Sequence, residues 1–433
     1  MGAMAIPRYN EIHARFEHGQ KLGWVLEISL FIIALGLLPF IQWNKLPQDW
    51  ISATVVTLLV PMQFLPSVIW MIAIKKKEID QLSETARYGV FDKHNLRQLV
   101  DSVLKELQIP KRKVRVYITN DKQLNAFAVS FGLSRFLPFM RGVYLHRKTL
   151  HVVTPQELKS WIGHELGHIF PYALRLDQAA LLQIIAGAVL SLFVYQQAAV
   201  WGGYGVMIAV GVAWLFLYVT SLPRAKLSQV CEYLCDEYGA RVSGIDVAIT
   251  DLLKSGSATE AEHEVLMYVT QAINNGEIPN PDSAYTIYEQ ALGFEIEDAE
   301  QIKKRVATAI KEYKAERPNL SVRGLMDFFW SDAATDSDAT EKRDAMLRVY
   351  DLLKDVPRLD WKKTCGWDGH STLTPMQIDR IVGKLENNPD LVLFRIPEEF
   401  QVGEAKSHPG FKKRILYLWI NRLDIERAPL PRI

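Results

Sequence analysis

Four apolar blocks, Leu22 to Trp43, Ile51 to Ile74, Ala179 to Ala199 and Tyr204 to Leu222, interrupt a chain otherwise rich in Lys, Arg, Asp and Glu. Each is long enough to cross a hydrocarbon core of ~30 Å as helix, which takes ~20 apolar residues. The first carries one acid, Glu27, near its amino-terminal end, where a carboxylate can reach the headgroups or face other helices. From Gln178 to Pro223 there is no charged residue, and "WGGYG" at Trp201 to Gly205 supplies the turn of a helical hairpin. A soluble chain would have to bury that whole hairpin. The expected fold is mainly α, a polytopic membrane protein with four transmembrane helices, and the lipid bilayer is its first partner.

Basic residues beside the spans set the orientation, because short loops holding Lys and Arg stay in the cytoplasm. Lys75 to Lys77 follow the second span, Arg224 and Lys226 the fourth, and Arg8, Arg15 and Lys21 precede the first. The opposite loops, 44–49 and the "WGGYG" turn, hold one Lys between them. Both termini, 75–177 and everything from Arg224 onward are therefore expected in the cytoplasm, with the chain integral to a membrane. The opening "MGAM" reads as a cloning remnant with Met4 as the natural start, and no cleaved secretory signal is expected. A net charge of +1 argues against a nucleic-acid partner. The three cysteines give no disulfide framework. Nothing in the sequence sets the oligomeric state.

The chain divides into an N-terminal segment (1–21), two spans (22–74), the first half of a soluble domain (75–177), a membrane hairpin (178–223), a further helix (224–245), a mostly helical stretch (246–405) and a C-terminal segment (406–433). In the first soluble half, Ser83 to Pro110 reads as a charged amphipathic helix. "VRVYI", "NAFAV" and "GVYLH" read as strands of a small β-sheet. "FGLSRFLPFM" (Phe131 to Met140) is an apolar loop that either meets the bilayer interface or covers the core. "SDAATDSDAT" at Ser331 to Thr340 suits an exposed linker.

The chemistry lies in "TPQELKSWIGHELGHIF". Thr154 as cap, Pro155 at the first helical position and Glu157 three residues after the cap predict a helix start, so HELGH is helical. His164 and His168 then point from one face, one turn apart, and can converge on one ion. Glu165 is rotated about 100° from His164, a poor ligand but near a water bound to that ion. Two neutral imidazoles and a carboxylate favour Zn²⁺, one per chain, with a position left open for water. The best source of a third ligand is "CEYLCDEYGA". Glu232 and Asp236 are four apart on one helix face, so one could bind the metal while the other accepts the N–H of a ligating histidine. Cys231 and Cys235 bracket Glu232 and are rotated away from it; packing is their expected role and thiolate ligation the alternative.

The order of two spans, N-A-F-A at Asn125 to Ala128, HELGH, a two-span hairpin, E-x-x-x-D and a late S-H-P with a following Arg resembles the HtpX-like branch of membrane zinc metalloproteases, related to the CAAX prenyl endopeptidases. The likeness covers roughly 20–245 and 405–420, and 246–405 has no counterpart in it. It implies a cytoplasmic zincin-type domain (HExxH plus Glu), gluzincin-like, in which His164, His168 and Glu232 bind zinc, Asp236 supports them and Glu165 is the base. It also sets Asn125, with Ala126 and Phe127, along the substrate, and His408 and Arg414 at the developing oxyanion. The helix holding the third ligand reads "SQVCE" where that family carries an arginine. The implied function is hydrolysis of membrane or misfolded proteins in proteolytic quality control, with the chain integral to a bacterial inner (plasma) membrane. A CAAX prenyl endopeptidase and an inactive scaffold or chaperone are the alternatives; four spans disfavour the first and the intact His, Glu, His, Glu, Asp set the second.

Overall fold

The computed structural model describes residues 6–45, 50–62, 74–110, 114–119, 126–129, 142–147, 149–174, 180–198, 201–275, 277, 279–292, 356–396, 399 and 408–431. Asn125, Phe131 to Met140 and Ser331 to Thr340 lie outside the described residues.

The chain begins with α1 (Tyr9–Leu37) and α2 (Trp50–Met62). A short strand, β1 (Lys76–Glu78), and a tight hairpin, β2 (Arg87–Tyr88) with β3 (Phe91–Asp92), lead into α3 (Lys93–Glu106). The helix expected from Ser83 thus starts ten residues later, for two local reasons. Gly89 turns the hairpin at φ +58°, where a Cβ would also lie 2.6 Å from the Leu150 carbonyl oxygen. Asp92 then caps α3 by accepting from the Asn95 N–H at 2.8 Å. From there the apolar face is regular, burying Leu96, Leu99, Val100, Val103 and Leu104.

Strands β4 (Arg115–Thr119), β5 (Ala126–Val129) and β6 (Gly142–His146) complete a four-stranded sheet of order β1-β4-β6-β5. β4 and β6 are parallel, β1 and β5 antiparallel to their neighbours, and β5 is an edge among the described strands. α4 (Pro155–Ile169) starts as its sequence predicts: the Thr154 hydroxyl accepts from the Glu157 N–H and the Glu157 carboxylate from the Thr154 N–H.

Next come α5 (Ala180–Ala198) and α6 (Gly203–Ser243), a hairpin turned at Gly202 with φ +58°. Among the described residues two helices, Tyr9–Phe40 and Gly203–Ser243, are long and apolar enough to cross a membrane, and Leu182–Ala198 is a shorter apolar helix. Only 17% and 22% of the two long apolar windows are buried, unlike the core helix of a soluble protein. α5 packs against α1, α2 and α6. Small residues let the backbones approach, with Ala34 and Ala186 in one cluster and Ala53 and Ala209 in another.

Two further cores lie beyond the apolar helices. One joins the sheet, α3, α4, the start of α1 and the polar half of α6. The other is built by α7 (Ile245–Asn274), segment 359–396 with α9 (Pro375–Asn387), and α10 (Phe411–Ile420); α8 (Pro281–Leu292) packs on α7. The described parts of 246–405 therefore form one core with the C-terminal helix. A buried polar bridge joins the two cores behind α4. Lys254 on α7 lies 2.8 Å and 3.1 Å from the two oxygens of Glu157, and the Trp161 indole donates to Asp251.

Candidate metal centre and active site

α4 and α6 cross at glycines. A Cβ on Gly163 would lie 2.9 Å from the Gly239 Cα, and one on Gly239 would lie 2.6 Å from the Ser160 carbonyl oxygen. This close approach explains the small residues around HELGH, and it brings His164 and His168 of α4 opposite Glu232 and Asp236 of α6.

The Nε2 atoms of His164 and His168 are 3.2 Å apart, and the Glu232 oxygens lie 3.5 Å from the first and 3.4 Å from the second. Tetrahedral coordination with bonds of ~2.0–2.1 Å sets its donor atoms ~3.3–3.4 Å apart, so this donor set fits a zinc-sized ion. The other ring nitrogen of His164 is 2.9 Å from the Asp236 Oδ1. Asp236 is itself gripped from the C-terminal helix, with Arg414 Nε 2.7 Å from Oδ2 and Nη2 2.5 Å from Oδ1. His408 Nδ1 lies 3.0 Å from the Glu232 Oε1, on a half-exposed side chain.

The electrostatics follow from burying so many charges together. Burial opposes the charge on Glu232, but His168, the His408 hydrogen bond and Arg414 outweigh it and hold this carboxyl well below the usual carboxylate range. Burial likewise opposes the charge on Asp236, and Arg414 and His164 lower it. Burial works against a charged His168, yet Cys231 and Glu232 push its pKa up to about 10, a negative well suited to a cation. Glu165 behaves differently. Its burial dominates over the nearby histidines and raises its pKa. Its carboxylate accepts the backbone N–H of Ala128, so β5 lies beside the HELGH helix.

The structure thus brings together His164, Glu165, His168, Glu232, Asp236, His408 and Arg414. Ala126 is buried in β5, and the Phe127 ring stacks on Tyr144 at 4.8 Å between centroids. Arg414 lies against both acids of α6: its Nε and Nη2 are engaged by Asp236, and Nη2 is 3.7 Å from the Glu232 Oε2. Cys231 also has a neighbour that the sequence reading missed. It is rotated off the Glu232 side, but its sulfur is 3.5 Å from His168 Nδ1. The spacing of Cys231 and Cys235 was the available signal, and reading it needed the relative rotation of α4 and α6.

Residues 92–255 match the profile of Peptidase family M48. This stretch is similar to an M48 peptidase domain. It resembles proteins named Protease HtpX homolog from Aquifex aeolicus (28% identity over 210 residues, 46% of this chain and 63% of that protein) and Pyrococcus abyssi (30% over 169 residues, 36% and 54%). A third, from Thermococcus sibiricus, is 28% identical over 201 residues, 44% of this chain and 62% of that protein. The match spans only about half to five-eighths of these relatives. No solved structure matches the chain. The M48 region includes HELGH, Glu232 and Asp236 and ends within α7, so His408 and Arg414 reach the site from outside it.

Proposed function

We propose that this chain is a zinc-dependent endopeptidase of the HExxH type, embedded in the membrane, with its site at the cytoplasmic face. The observation that carries this reading is the spacing of 3.2, 3.4 and 3.5 Å among two imidazoles and one carboxylate. His164, His168 and Glu232 would hold the ion, which when bound supplies Lewis-acid polarisation of a carbonyl and of a water. Asp236 accepts the Nδ1–H of His164, which leaves the Nε2 lone pair for the ion. Arg414 holds Asp236 in place, a positioning role rather than that of a second oxyanion donor. Glu165 takes a proton from the attacking water and delivers it to the leaving nitrogen; its raised pKa suits both transfers. His408 donates to the developing oxyanion. Substrate binds as an extended strand along β5, at Asn125, Ala126 and Phe127, a main-chain mode that accepts many sequences.

The substrates are membrane or misfolded proteins, and the role is proteolytic quality control at a bacterial inner membrane. All four apolar segments cross the bilayer. The partial burial of α1 and α6 supports contact with lipid. Metal analysis of the purified protein, paired with cleavage of an unfolded membrane substrate, tests the chemistry. Zinc at one per chain and zinc-dependent cleavage are expected. A metal-free protein, or cleavage that survives Glu232→Ala and a chelator, would overturn the reading. Accessibility labels at Lys76 and within 44–49 should react from opposite sides of the membrane, and Lys76 labelling from outside would refute the cytoplasmic site.

A further inference from the structure

His168 presents its two ring nitrogens to different chemistry. Nε2 faces Glu232, whereas Nδ1 faces the Cys231 sulfur at 3.5 Å, which in turn lies 3.8 Å from the Cys235 sulfur. A histidine that binds a metal usually gives its second nitrogen to a carboxylate or a carbonyl, as His164 does with Asp236. Here that neighbour is the Cys231 thiol, which also donates to the Tyr172 carbonyl oxygen at 3.1 Å and is backed by the Cys235 thiol; both thiols are buried. We propose that His168 Nδ1, Cys231 Sγ and Cys235 Sγ form a second cation site, back to back with the first and selective for a thiophilic d¹⁰ ion such as Cu⁺ or Cd²⁺.

Geometry and donor chemistry carry the proposal. Bonds of ~2.3 Å to sulfur and ~2.05 Å to nitrogen, opened to about 110°, set two sulfurs ~3.8 Å apart and a sulfur and a nitrogen ~3.6 Å apart. The separations in the structure are 3.8 and 3.5 Å, and a ring nitrogen of His168 and the two sulfurs all lie within 4.8 Å of one another. Two sulfurs and one imidazole favour soft ions over Mg²⁺, Ca²⁺ or Mn²⁺. Uptake releases the two thiol protons to solvent as the thiolates bind. An ion here competes for the ring that serves the first centre, because one imidazole serves two cations only by losing both N–H protons. A thiophilic ion therefore weakens zinc at His164, His168 and Glu232, which makes the cysteine pair an inhibitory site.

The test uses zinc-loaded full-length protein under anaerobic, reducing conditions and titrates it with Cu⁺ against a chromogenic Cu⁺ chelator. The wild type is expected to take up one Cu⁺ per chain with two sulfur neighbours by X-ray absorption, and its zinc affinity to fall at least tenfold on copper loading. Cys235→Ala should lose at least tenfold in Cu⁺ affinity. Cys365→Ala, which alters the third, distant cysteine, should bind as the wild type does. Equal Cu⁺ uptake by wild type and Cys235→Ala, or copper without sulfur neighbours in the wild type, would overturn the site. The absorption measurement needs no variant to fold, and the metal count stands whether or not the protein proves to be a peptidase.

Discussion

Replacing Arg414 by alanine separates a positioning role from a direct one. The guanidinium lies across Asp236 with contacts of 2.7 and 2.5 Å, and the two side chains are 13% and 5% exposed. Each hydrogen bond to a charged group contributes about 1.5–3 kcal/mol. Removing one member of a buried ion pair costs about 3–5 kcal/mol, because the other charge stays buried. Both routes converge near 4 kcal/mol, or about three decades in the folding equilibrium. A denaturant titration in detergent, read by tryptophan fluorescence, should show the midpoint fall by a corresponding amount. Asp236 also orients His164, so zinc affinity measured by chelator competition should drop about 10- to 100-fold. Arg414→Lys keeps a charge but cannot span both oxygens, and should fall between the two. If Arg414→Ala kept the parent midpoint and zinc affinity while kcat fell about 10²- to 10³-fold, Arg414 would act on the oxyanion and the positioning argument would be wrong.

Glu165→Gln removes no ligand, so zinc should remain while turnover drops at least ~10²-fold; undiminished cleavage would exclude Glu165 as the base. Because burial raises the Glu165 pKa above 4.5, the ionised base is present only above that raised value, and the acid limb of the kcat/KM profile should lie above pH 4.5. A limb at or below pH 4.5 would count against it. The same shift acts oppositely on stability: its contribution is fully present below the unfolded pKa and lost as pH rises through the folded one. Lys254→Ala leaves Glu157 buried without its partner and should cost about 3–5 kcal/mol, and the double variant Lys254→Met with Glu157→Gln should recover most of that loss. Equal denaturation midpoints for Lys254→Ala and wild type would show that the bridge between the two cores contributes little.

The legible parts of the site were those set by a single helix. Thr154, Pro155 and Glu157 announce the start of α4, and the four-residue spacings of His164 with His168 and of Glu232 with Asp236 put each pair on one face. What stayed hidden depends on contacts between distant segments. The Arg414 grip on Asp236 joins residues 178 apart, and Lys254 meets Glu157 across 97. The β2–β3 hairpin is hidden for a local reason: the amphipathic period of α3 extends backward in the sequence through the Gly89–Val90 turn.

In the sequence the fourth apolar block and the helix bearing Glu232 read as separate elements, since Pro223 and Arg224 mark a boundary in composition. The structure makes them one helix of 41 residues, α6, closed only at Gly244 with φ +99°. Proline removes an N–H and disfavours a helix interior, yet α6 runs through Pro223 with packed partners on both sides: α5 along its apolar half and α4 along its polar half. The consequence lies in rotation. Successive residues on a continuous helix turn by about 100°, so the direction in which Glu232 and Asp236 point is tied to the direction in which the apolar half presents its small residues to α5. Ala209 packs with Leu192 and Tyr195 of α5, and Cys235 packs against Gly167 of α4. These two contacts set the phase of one rod at two heights, and the carboxylates of the metal centre cannot be re-aimed without disturbing the apolar packing.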